Sequence, residues 1–140
     1  EERRILDLMS TNAPKTDTQQ VIEAERVTEA RALVNDILIS DAVRDYIVEI
    51  IHTSRHPGEL LPDMKNLIRC GASPRGTINL ALAARARAFL DGRAYVTPQD
   101  VKDLAMDVLR HRILLTYEAE AEGVTSEQII ERLLERIAVP

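Results

Sequence analysis

The sequence predicts a mainly α fold, a helical bundle with one small two-stranded β element. Three observations carry that prediction. The chain has 140 residues, 45% of them hydrophobic, but only three Tyr, one Phe and no Trp, so aliphatic side chains must fill the core, as suits packed helices. Several segments repeat apolar residues at helical spacing and open on Ser or Thr, the side chains that cap free N–H groups. Only two short runs, Ile37–Ile39 and Ile113–Tyr117, read as strands, and they are expected to pair with each other.

The elements follow in chain order. Glu1–Met9 reads as a helix with Ile5, Leu6 and Met9 on one face and no cap, as though it continued an element lying upstream. Ser10–Gln20 is polar, carries Pro14 and reads as a linker. Glu23–Asp36 has a helical pattern with Val27, Ala30 and Val34 turned inward. Ser40 caps a helix over Asp41–Arg55, in which Val43, Tyr46, Ile47, Ile50 and Ile51 keep the helical period. His56–Ser73 contains Pro57, Gly58 and Pro62 and reads as irregular, with a short ordered piece around Leu67 and Ile68. Pro74–Gly92 is the strongest helix: Ser73 stands at the N-cap, Pro74 fits the first turn, and Gly92 stops it. Thr97, Pro98 and Asp100 open another helix, with Val101, Leu104, Ala105, Val108 and Leu109 as its stripe. Thr125 and Gln128 form a capping box before Ile129, Ile130, Leu133, Leu134 and Ile137.

Charge and composition exclude several function classes. The formal net charge is −5, which argues against a nucleic-acid-coating role. The acid gathers late, in Tyr117–Gly123 and Glu127–Arg136, where a protein partner or water is expected. The single cysteine, Cys70, rules out an internal disulfide framework and suits a cytoplasmic setting. No run is apolar enough to span a membrane. The sequence has no GxxxxGK[ST] phosphate loop, no HExxH and no Gly-x-Ser-x-Gly elbow. It therefore encodes either a non-catalytic domain or one part of a site completed elsewhere.

One residue departs from local logic. In Gly71–Gly76, "GASPRG", Arg75 falls on the first turn of a helix, where the backbone already presents partial positive charge. Either the guanidinium is merely solvated, or an anion meets it: an arginine fork beside free N–H groups suits phosphate oxygens. Arg85, Arg87 and Arg93 read as a solvated face, Cys70 as a small buried hydrophobe. His52 and His56 share a helix face but lack a third ligand, so no metal site is expected. His111 suits a helix C-terminus.

The run from "ILISDAVRDYIVEII" through "GASPRG", "GRAYVTPQDV", "VLRHRI" and "AEAEGVT" to the final "VP" resembles, in order and spacing, the C-terminal lid of MoxR-type AAA+ ATPases. The resemblance implies a helical lid over residues 21–140, preceded in residues 1–20 by the end of the core's last helix and a linker. It implies that Arg75 is the sensor-2 arginine, reaching the terminal phosphates of ATP bound in the core, and so the one residue here with a catalytic role. It places Tyr46 and Ile50 beside the adenine and Pro74 and Ile78 along the same edge. It further implies ATP and Mg2+ in the parent protein, a hexameric ring whose subunits pair lid with core, and a von Willebrand A-domain partner. The chain alone lacks the phosphate loop and the Walker B acid, so it should not hydrolyse ATP by itself. The competing reading is an independent helical interaction module or a DNA-binding helix-turn-helix.

Overall fold

Helix α1 (Glu2–Met9) has no capping side chain and buries none of its residues. Its expected apolar face exists: Ile5, Leu6 and Met9 line a shallow groove with Glu2 and Ser10. In the computed structural model, which describes residues 1–12 and 19–140, the chain divides into two units, Glu1–Arg31 and Ala32–Pro140. Pro14 and most of the linker reading lie outside the described residues. Helix α2 (Ala24–Val34) is held largely by local bonds, among them Thr28 Oγ1 to the Ala24 carbonyl at 3.2 Å and an Arg26–Glu29 pair at 3.1 Å. Its inward stripe is only partly realised. Ala30 and Val34 are half-buried and Val27 is exposed; Glu25, Arg26, Glu29 and Arg31 are interspersed among them.

The second unit is built on α3 (Asp41–Arg55). The Ser40 hydroxyl accepts from the Val43 N–H at 3.3 Å, and Val43, Tyr46, Ile47, Ile50 and Ile51 are all buried, as their spacing predicts. The segment that reads as irregular is ordered in short pieces: α4 (Pro57–Leu60), a 3₁₀ turn over Pro62–Met64, and β1 (Ile68–Cys70). Leu61 and Met64 sink into the core and hold the segment down. Helices α5 (Pro74–Leu90) and α6 (Pro98–Leu109) follow, packed against each other and against α3. Thr97 and Asp100 form the capping box of α6, with both reciprocal bonds present. Strand β2 (Leu114–Leu115), the short helix α7 (Tyr117–Ala121) and α8 (Ser126–Arg136) complete the unit. Helix α8 opens on the Thr125–Gln128 capping box and packs on α3 and α6. The shared core is aliphatic: Ile47, Ile50, Ile51, Leu80, Val101, Leu109, Ile129, Ile130 and Leu133 are fully buried or nearly so. No described helix is long and apolar enough to cross a membrane.

The β element exists, but its partners differ from expectation. Strand β2 pairs antiparallel with β1, with Ile68 opposite Leu115 and Cys70 opposite Leu114. Ile37–Ile39 takes no part in that ribbon. Ile37 and Ile39 bury their side chains, while Leu38 makes one parallel bridge to Tyr95 through bonds of 2.9 Å on either side. The alternation in this run serves core packing, and the chain leaving α5 meets the segment that leads into α3. Tyr117 belongs to α7 and not to the strand, because the Thr116 hydroxyl caps that helix from the Ala119 N–H at 3.3 Å.

Candidate functional site

The turn from Gly71 to Arg75 is seated on the last turn of α3. A β-carbon at Gly71 would lie 2.3 Å from the Ser54 carbonyl oxygen and 2.6 Å from the Arg55 nitrogen, so glycine alone fits this approach. The next residue, Ala72, is fully buried, and its N–H donates to Ser54 Oγ at 3.0 Å. The Ser54 hydroxyl in turn donates to the Ile51 carbonyl at 2.7 Å. Within the first turn of α5, Gly76 faces Ile51 so closely that a β-carbon would stand 3.1 Å from its Cδ1. Two glycines and one buried serine thus fix where α5 begins.

That beginning differs from the other helix starts in the unit. Helices α3, α6, α7 and α8 each donate a backbone N–H of the first turn to a capping Ser or Thr hydroxyl. The expected cap of α5 is absent: Ser73 has extended backbone but its hydroxyl makes no capping bond, and the Ser73 carbonyl accepts the Gly76 N–H at 2.7 Å. With Pro74 at N1 and no acid in the first turn, nothing in the helix itself offsets its positive end. Arg75 stands on this turn, exposed, and its guanidinium makes no hydrogen bond or ion pair with a described residue. Pro74 and Ile78 are exposed on the same turns.

The five residues tied to nucleotide by resemblance are not gathered into one pocket. Pro74, Arg75 and Ile78 form an exposed edge. Tyr46 lines a separate groove with Ala42, Asp45, Glu49, Leu60 and the chain's last residues, Ile137–Pro140. Its hydroxyl is buried without a partner among the described residues, and burial pushes the phenol's pKa up. Ile50 lies wholly inside the core and has no surface to offer a ligand.

Two expectations about neighbouring residues need correction. Cys70 is exposed rather than buried, because it sits at the end of a short two-stranded ribbon with no layer over it. Arg93 is no solvated arginine. Its Nη atoms bond both carboxylate oxygens of Asp100 at 2.9 and 2.6 Å, and also reach the Tyr95 carbonyl and Asp91, each at 3.0 Å. Burial pushes the Asp100 carboxyl upward, yet the Arg93 guanidinium and the Thr97 N–H and hydroxyl together hold it below the usual carboxylate range. Arg87 pairs with Asp91 at 3.0 Å, and the Arg85 Nε is buried without a described partner. His52 and His56 stack with ring centroids 4.6 Å apart. Among the described residues no cluster of three His, Cys, Asp or Glu could hold a metal. Sequence reasoning overlooked Ser54, although a signal was there: it continues the apolar stripe of Ile47, Ile50 and Ile51, where a hydroxyl must find a partner.

The family of AAA lid domains matches residues 63–133. Across its whole length the chain is 36% identical to the chaperone MoxR1 of Mycobacterium tuberculosis and 35% identical to the protein YeaC of Bacillus subtilis, spanning 37% and 41% of those proteins. It is 33% identical to the protein MoxR of Methylorubrum extorquens over 86% of this chain and 37% of that one. A crystal structure of a candidate ATPase from Cytophaga hutchinsonii superposes on 99% of the chain with a TM-score of 0.91 and 38% identity, and the match covers 42% of that protein. The chain thus spans about two fifths of the length of these relatives. A helical unit with a two-stranded ribbon, an arginine-bearing turn locked to its first long helix, and relatives of these kinds lead to one assignment: the chain belongs to the AAA lid domain family, as the lid of a MoxR-type ATPase.

Proposed function

We propose that this lid closes over ATP held by an AAA+ core domain outside the chain, with Arg75 as the sensor-2 arginine, and that closure couples hydrolysis to chaperone-like maturation of a protein complex or metal centre. The observation that carries the reading is the start of α5. It is the one long helix of its unit without a side-chain cap, it has no acid in its first turn, and its arginine is exposed and unpaired among the described residues. A guanidinium there fits phosphate oxygens: it is always charged, planar, and able to give two parallel bonds.

Pro74 and Ile78 flank Arg75 and would form the edge that approaches the nucleotide, while Tyr46 and Ile50 would support the lid from within α3. ATP with Mg2+ supplies the transferable phosphoryl group, and the metal would be ligated from the core, since no metal-holding cluster is present among the described residues. The role of Arg75 is to neutralise charge on the terminal phosphates as the lid closes, where positioning and electrostatics dominate phosphoryl transfer. Because it reaches the phosphates from a separate domain, the lid angle would follow nucleotide state. In a hexameric ring in the cytoplasm, that motion would pass to neighbouring subunits and to a von Willebrand A-domain partner. The chaperone name of one relative supports the maturation role.

Arg75→Ala in the full-length ATPase tests the assignment. Turnover should fall by roughly 10²-fold or more, the loss seen when one charge-stabilising donor is removed, while the lid keeps its fold. Unchanged turnover would remove the sensor role.

A further inference from the structure

We infer that Ser54 is a positioning residue for Arg75: its buried hydroxyl fixes the turn that aims the guanidinium. This rests on the sensor reading of Arg75. Ser54 is fully buried, so its hydroxyl cannot be satisfied by water. It bonds in two directions, to the Ile51 carbonyl within its own helix and to the Ala72 N–H eighteen residues away. A serine near a helix end commonly bonds back to its own turn; the second bond, to a different element, is what local chemistry does not require.

The contacts around it define what that bond does. Gly71 lies against the Ser54 carbonyl and the Arg55 nitrogen, and Gly76 lies against Ile51. Close packing of this kind sets the distance between the turn and α3 but permits sliding along it. A directional N–H to hydroxyl bond at Ala72 fixes the remaining freedom. Arg75 follows three residues later, on the first turn of a helix of 17 residues, so a small shift at Ala72 moves the whole guanidinium. Without the hydroxyl the Ala72 N–H is buried and unpaired, and the turn relaxes only by moving that group toward water. The buried stripe of α3 thereby becomes part of the machinery that holds the sensor arginine in register.

The test measures kcat, KM for ATP and the thermal midpoint in the full-length ATPase for Ser54→Ala, Arg75→Ala and the double variant. Ser54→Ala should lower kcat by roughly tenfold to a hundredfold at a temperature where the protein remains folded, as misplacement by about 1 Å can do. The double variant should turn over no more slowly than Arg75→Ala alone, because both changes act on one interaction. An equal loss in both backgrounds, or a lowered midpoint with unchanged kcat, overturns the role of Ser54 while leaving that of Arg75 standing. Full turnover in Arg75→Ala removes the sensor reading and this one with it. Ser54→Thr and Ser54→Val give a second route if the alanine variant does not fold, since they add similar bulk and differ in the hydroxyl. Higher turnover for Thr than for Val supports the proposal, and equal turnover overturns it.

Discussion

Beyond the C-terminal end of α5, Arg93 places both Nη atoms on the carboxylate of Asp100 and a further bond on Asp91. On its N-terminal turn, Arg75 has no such partner among the described residues, and yet the backbone beneath it is the tighter of the two, wedged by Gly71 and pinned by Ser54. The arginine that holds the fold has its carboxylate inside the same unit. The arginine proposed to meet nucleotide has a tightly packed base and a free head. Preorganisation is useful only in the second case: a loose base would cost ordering entropy each time the anion arrived.

Exchanging the insult between the two ends should separate these roles. Arg75→Ala is expected to remove roughly 10²-fold in turnover and to leave the thermal midpoint within about 3 °C of wild type, as for an exposed residue without partners. Arg93→Ala should do the reverse. It strands the buried Asp100 carboxylate without its counter-charge, so the midpoint falls while turnover persists where the protein is folded. A melt and an ATPase assay on both variants check the pair, and comparable loss of turnover in the two would erase the distinction.

Gly71→Ala should affect both quantities. Its β-carbon would fall 2.3 Å from the Ser54 carbonyl, so the turn must lift away from α3, at a cost of about 1–3 kcal/mol for overpacking. Because Arg75 rides on that turn, kcat should fall by more than the loss of folded protein explains. Denaturation and single-temperature kinetics on the same preparation test this directly.

Asp100→Asn sharpens the other end. The charge-assisted bonds to Arg93 and Thr97 should be worth about 1–2 kcal/mol beyond a neutral acceptor. Their pH dependence follows from the depressed carboxyl. A carboxyl held below its unfolded pKa of about 3.9 adds stability that is present above that pH and fades as the pH falls through the folded value. Wild type should therefore lose this increment below about pH 4, and Asp100→Asn should lack it. Denaturant midpoints measured between neutral and acid pH will show whether the two curves converge.

How far the sequence reveals this molecule depends on the kind of interaction. Helices α3, α6 and α8 are legible because their caps are chemically distinct and their stripes are long: Ser40, Thr97 with Asp100, and Thr125 with Gln128 all do what their positions predict. The ribbon is legible as an element but not in its pairing. Strands of three and two residues carry too little pattern to name partners, and the better strand composition of Ile37–Ile39 serves burial instead. Two serines show the same limit of local pattern. Ser73 sits where a cap belongs and makes no capping bond, while Ser54 in an apolar stripe makes the long-range bond. Arg75 stands out by its motif. Arg93 does not stand out from Arg85 and Arg87, because its partner Asp100 lies seven residues away across a turn whose path only the fold defines.

Gly92→Ala has the smallest expected effect and isolates what the glycines contribute. Gly92 stops α5 with φ at +70°, and the space around a β-carbon there is open. Gly71 is the opposite case, without a left-handed φ and without room. At Gly92 the only penalty is the left-handed backbone, about 1 kcal/mol, and the Arg93 N–H to Ala88 carbonyl bond of 2.8 Å that closes the helix should survive. The midpoint should therefore drop by a few degrees, roughly 4–8 °C per kcal/mol for a unit of this size, with kcat unchanged. If Gly92→Ala lowers kcat in the same proportion to its stability loss as Gly71→Ala does, then turnover in both variants tracks stability alone. The rigid base beneath Arg75 would then have no special part in catalysis.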